Sequence, residues 1–114
     1  MKAFLIDPFK EIVTEVQLKP KDYRHISKHL ECDFFTVVYP PDIDKDVVYV
    51  DDEGIYIRDQ KFFMFKGVPT PLAGYGLVVG TTESSDSCDP VTPLADIISL
   101  VDFEETKGIR WINT

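Results

Sequence analysis

Apolar and polar positions change period several times along the chain. Residues 2–6, Lys-Ala-Phe-Leu-Ile, form a short apolar run closed by Asp7-Pro8, the pattern of a buried strand. Over 11–18, Ile12, Thr14, Val16 and Leu18 share one side and Glu15 and Gln17 the other, which predicts a half-buried strand. Asp7-Pro8-Phe9-Lys10 is the turn between them, with Pro8 presetting its first corner. The period then lengthens. Pro20 suits a first helical turn, Asp22 suits the positive end of the helix dipole, and Tyr23, Ile26 and Leu30 recur at i, i+3 and i+7. One short helix over residues 20–31 is expected. Phe34 to Tyr39 is aromatic and β-branched, hence a strand, and Pro40-Pro41 ends it.

Val47 to Val50 and Ile55 to Ile57 read as two strands of a hairpin around the polar, glycine-closed turn Asp51-Asp52-Glu53-Gly54. Lys61 to Phe65 extends the sheet or packs over it. Gly74 to Gly80 is a strand with glycines where backbones approach closely. Residues 81–90 are the most loop-like stretch. Thr92 then caps a second helix with Pro93 at its first position, and Leu94, Ile97, Ile98 and Val101 fall on one face. Ile109 to Ile112 is a candidate closing strand. The expected fold is α+β: one domain over 1–114, a mainly antiparallel sheet of six or seven strands, and two short helices on one face.

Charge narrows the function classes. Twenty acidic residues against twelve basic ones give a net charge of −8. Phosphate backbones and anionic membranes repel such a chain, so direct nucleic-acid and membrane binding are not expected. A basic protein partner, a bound cation or simple solubility remain. Cys32 and Cys88 sit in no paired motif, no apolar run approaches a membrane span, and the N-terminal apolar stretch is too short for a signal peptide. A cytoplasmic location with reduced thiols follows as the expectation.

Several constellations invite sharper readings. Asp42, Asp44, Asp46 and Glu53 match offsets of a calcium loop, but the required glycine is Val47 and Val48-Tyr49-Val50 is strand-like. A solvated acidic loop is the plainer reading. His25, His29 and Cys32 share a helix face opposite the apolar stripe, where two imidazoles can reach one zinc ion. No fourth ligand is evident and Ile26 replaces the glutamate of a metalloprotease motif, so a polar helix face is the plainer account. Ser84, Ser85 and Ser87 lack a glycine elbow, and Cys88 stands among Glu83, Asp86 and Asp89, which disfavour a thiolate. Gly74, Gly76 and Gly80 are spaced one residue too long for a dinucleotide fingerprint and no helix follows them. No catalytic residue, cofactor or metal site is expected from these patterns. Four large apolar residues in a row, Phe62-Phe63-Met64-Phe65, are either core under a covering element or a surface for a partner or for self-association.

Three stretches carry a resemblance: Met1-Lys2-Ala3 leading into Leu5-Ile6-Asp7-Pro8, Val48 to Gly54, and Pro71 to Gly80. Together they resemble a family of small phage- and plasmid-encoded proteins catalogued as a domain of unknown function. The resemblance spans most of residues 1–103 and implies an accessory role in a mobile element within a bacterial host's cytosol. It brings no activity, cofactor or catalytic residue with it. The expected function is a non-catalytic protein-interaction module. Its candidate partner surface comprises Asp42, Asp44, Asp46, Asp51, Asp52 and Glu53 around the predicted hairpin, with Phe62, Phe63 and Phe65. A small-molecule-binding or sequestering protein, oligomeric with sites between chains, is the alternative.

Overall fold

The computed structural model describes residues 1–19, 21–43, 45–83 and 86–104. Pro20, Asp44, Ser84, Ser85 and the candidate closing strand lie outside the described residues. Among the described residues, nine strands and two α-helices follow one another. They are β1 (Lys2–Asp7), β2 (Ile12–Gln17), α1 (Tyr23–Leu30), β3 (Phe35–Val38), β4 (Asp46–Asp51), β5 (Phe62–Phe65), β6 (Leu72–Ala73), β7 (Gly76–Thr81), β8 (Ser87–Cys88), α2 (Leu94–Leu100) and β9 (Val101–Asp102). The main sheet runs β2-β1-β7-β4-β3, with β8 also paired to β7, and a small second sheet runs β6-β5-β9. All pairings are antiparallel. The α+β class is the one the sequence pattern points to.

The central strands are apolar at nearly every position because both faces of the sheet are covered. Ala3, Val47, Leu77 and Val79 join Ile26 and Leu30 of α1 in one core. Their strand neighbours Phe4, Ile6, Val48, Val50 and Val78 point the other way, into a second core with Phe63, Phe65, Leu72 and Ile97. The two helices therefore lie on opposite faces, not on one. The small sheet and α2 form the second cover. This places Phe63 and Phe65, at 0% and 1% exposure, in the core and removes them from any partner surface. Burying one such ring stabilises by roughly 1.5–3 kcal/mol, which accounts for Phe63 and Phe65 in the apolar run. Phe62 is half-buried.

Two more expectations change. Residues 55–57 do not pair with β4. Both edges of β4 are already taken, by β3 and β7. Gly54 instead opens a 3₁₀ turn, Gly54–Tyr56, whose backbone packs against Ala73 so closely that a Cβ there would stand 3.0 Å from the Ala73 carbonyl oxygen. In α2 the inward stripe is buried Ile97 between half-buried Leu94 and Leu100, while Ile98 is exposed and Val101 has left the helix. Pro93 takes the cap position expected of Thr92.

Local chemistry holds the remaining elements. Asp7 Oδ1 accepts from the backbone N–H groups of Phe9 (2.9 Å) and Lys10 (3.1 Å), closing the β1–β2 turn. Asp22 caps α1 by accepting from the Arg24 N–H at 3.1 Å. Gly80 faces the Asp89 carbonyl where a Cβ would collide, so the glycine-rich strand is required by close packing.

Candidate functional site

The acids gathered in the sequence reading fall at opposite ends of β4. A strand of that length separates its ends by roughly 17 Å. At the start, Asp46 is 2% exposed and accepts from the backbone N–H of Val91 at 3.0 Å and of Thr92 at 2.8 Å. It fastens the segment entering α2 and is no surface ligand. Asp42 is exposed at that same end, and Asp44 lies outside the described residues. At the far end, Asp51, Asp52 and Glu53 form a turn in which Asp51 Oδ1 accepts from the Glu53 N–H at 2.9 Å. The calcium-loop offsets therefore hold no common centre. Among the described residues, no three His, Cys, Asp or Glu side chains are grouped as for a metal.

His25 and His29 do stand together, with ring centroids 4.9 Å apart, but both are half-buried rather than turned to solvent. His25 Nδ1 accepts from the Lys19 N–H at 2.9 Å, and His29 Nε2 lies 3.2 Å from the Gln17 carbonyl. They bind α1 to the end of β2. Cys32 is past the helix end and outside that pair.

The Asp51–Glu53 turn borders a groove of about 350 Å³. Glu31, Asp33, Asp51 and Glu53 supply its acids, and Phe34, Tyr56 and Ile57 its apolar wall. Phe34 and Tyr56 are 67% and 61% exposed. An adjoining hollow of about 210 Å³ shares Glu31, Asp51 and Ile57 and continues to Phe9, Gln60 and Tyr75. Glu31 ends α1 in the left-handed conformation, φ 54°, where glycine or asparagine is the usual choice. That backbone costs a non-glycine residue about 1–2 kcal/mol. Buried Gln60 donates from Nε2 to the Gly54 carbonyl at 2.8 Å and pins the 3₁₀ turn. Phe9 and Tyr75 pack with ring centroids 5.2 Å apart.

The titratable groups here are tuned away from nucleophilic chemistry. Burial, then the Asp51 and Asp33 carboxylates, pushes the Cys32 thiol up to about 11. Burial, then the hydrogen bond and charge of Glu31 with Asp7 beyond it, pushes the Tyr75 phenol up to about 12. A cationic group entering the groove would meet carboxylates and aromatic faces together. Of the residues singled out from sequence, Asp51, Asp52 and Glu53 belong to this end. Glu31, Phe34, Tyr56, Ile57 and Tyr75 were missed. The exposed aromatic Phe34 just beyond the helix end was their one visible signal.

A family model described as a domain of unknown function (DUF3846) matches residues 1–102. No curated protein and no solved structure matches the chain. Among the described residues, no helix is long and apolar enough to cross a membrane.

Proposed function

The chain belongs to that family, DUF3846, and on this premise we propose that it is a non-catalytic protein-interaction module whose groove receives a basic segment of a protein partner. Its place as an accessory protein of a phage or plasmid, acting in the host cytosol, is part of the same proposal and rests on the sequence resemblance. The observation that carries the reading is the convergence of Glu31, Asp51 and Glu53 on one groove walled by Phe34, Tyr56 and Ile57. Carboxylates attract lysine and arginine, and aromatic faces add about 0.5–1 kcal/mol per exposed cation–π contact. Each open ion pair contributes ~0–1 kcal/mol, so two or three such anchors total at most about 6 kcal/mol and favour weak binding, from millimolar to tens of micromolar. The net charge of −8 raises the encounter rate with a basic partner and makes binding salt-sensitive.

A second reading, small-molecule binding or sequestration, draws on the groove's volume, at the lower end of the ~300–1,000 Å³ common for ligand sites. The test compares the wild-type chain with an Asp51→Asn/Glu53→Gln variant as tagged bait in cells carrying the mobile element. The proposal expects a protein with a Lys- or Arg-rich segment to be retained by the wild type and lost with the variant. Equal retention by both would overturn it. A metabolite held in native mass spectra would favour the second reading.

A further inference from the structure

The main sheet ends in β2 on one side and β3 on the other, and the two edges are treated differently. In β2 the outward backbone groups belong to the odd residues, since Leu18 N–H bonds back to the Met1 carbonyl and the register alternates from there. That edge carries the exposed charge of Glu15, and its Gln17 carbonyl is met by His29. In β3 the Asp52 N–H donates to the Phe34 carbonyl at 3.0 Å, so the even residues pair with β4 and Phe35 and Val37 aim N–H and C=O outward. Among the described residues these outward groups have no hydrogen-bond partner. The six residues from Phe34 to Tyr39 carry no charge, proline or glycine, none of the features that usually guard an edge.

We propose that a second copy of this chain adds to the sheet here, β3 against β3 in antiparallel orientation. This inference stands independently of the groove reading. Pairing Phe35 of each copy with Val37 of the other lets each pair exchange two N–H···O=C bonds. The twofold axis then passes between the two Thr36 residues, a favourable cross-strand pair. Charge selects the same arrangement. One end of β3 carries Asp33 and the Asp51–Glu53 turn. At the other end Lys45 precedes β4, and Lys66 precedes Gly67, which packs on Pro41; they offset Asp42, exposed there, and Asp44, which adjoins Lys45 in sequence and lies outside the described residues, so this end is close to neutral where the first is acidic. An antiparallel partner sets the acidic end of one copy beside the lysine-bearing end of the other. A parallel one would stack the two acidic ends.

The test is sedimentation equilibrium of the full chain from low micromolar to near-millimolar concentration, with amide hydrogen exchange at both extremes. The wild type should approach twice the chain mass, and the Phe35 and Val37 amides should exchange more slowly at the upper end. Thr36→Glu puts like charges opposite one another and should weaken association by about tenfold or more. Thr36 is exposed, so the variant's melting temperature in dilute solution should match wild type. Val37→Pro removes an outward N–H and none of the bonds to β4, and should weaken association similarly. A wild-type chain monomeric throughout, or a dimer indifferent to both substitutions, would overturn the proposal.

Discussion

Replacing Asp46 by alanine removes the acceptor of two backbone N–H groups, those of Val91 at 3.0 Å and Thr92 at 2.8 Å. A hydrogen bond to a charged acceptor contributes about 1.5–3 kcal/mol net. Val91 is exposed and Thr92 half-buried, so water can re-satisfy part of the loss once the segment loosens. A total near 3 kcal/mol is therefore expected rather than the full sum. Asparagine keeps the shape and one acceptor oxygen, so Asp46→Asn should cost about half as much. For a chain of this length 1 kcal/mol lowers the Tm by roughly 4 °C, which makes the falls about 12 °C for alanine and about 6 °C for asparagine. Calorimetry gives the Tm, and hydrogen exchange should show the loss of protection concentrated from Val91 into α2. Groove binding should be unchanged, because Asp46 sits at the other end of β4. An alanine variant melting within about a degree of wild type would refute the assignment of Asp46 as an internal fastener.

Phe63→Ala should cost ~3–5 kcal/mol in urea denaturation, because the ring is fully buried and fills the space beside Gly76; a small loss would mean the small sheet is not a true cover. Raising Cys32 from 9.0 to about 11 reduces its thiolate roughly 100-fold at pH 8, and greater intrinsic nucleophilicity recovers about tenfold. Iodoacetamide should thus modify Cys32 about tenfold more slowly than an unperturbed thiol, and Asp51→Asn should narrow the gap. The Tyr75 phenol is raised in the folded state from 10.0 to about 12. Its stabilising contribution is therefore complete below pH 10 and lost as pH rises toward 12, so Tyr75→Phe should flatten the stability profile in that window.

Local periodicity revealed most of the elements and failed where partners are distant. The pattern over 12–17, the stripe Ile26 and Leu30, and the aromatic and β-branched run 35–38 each marked their own element, although Ile12 and Thr14, expected on the inward side of β2, are exposed and Val13 packs on a core instead. Ile55-Tyr56-Ile57 looked like the second arm of a hairpin because its residues suit a strand. What excludes that pairing is β7, nearly thirty residues after β4 in sequence, occupying the edge the hairpin would need. The two-sided burial of the central strands likewise depends on β5 and α2, which no local pattern assigns to a face. The acid-rich stretch was visible as composition, yet its meaning depends on strand geometry. β4 carries Asp46 into the interior at one end and Asp51 to the groove at the other. The groove and its adjoining hollow join residues near 9, 31, 51 and 75, so only the fold assembles them.

Whether this groove takes a basic segment can be read from a two-dimensional NMR titration. The probe is a capped, extended hexapeptide alternating arginine and glycine, with its glutamate counterpart as control. The arginine peptide should give saturable shifts centred on Phe34, Asp51, Tyr56 and Ile57, weakened by added salt and by Asp51→Asn/Glu53→Gln, and the glutamate peptide should give none. Shifts scattered evenly over the acidic surface, or equal responses to both peptides, would contradict it.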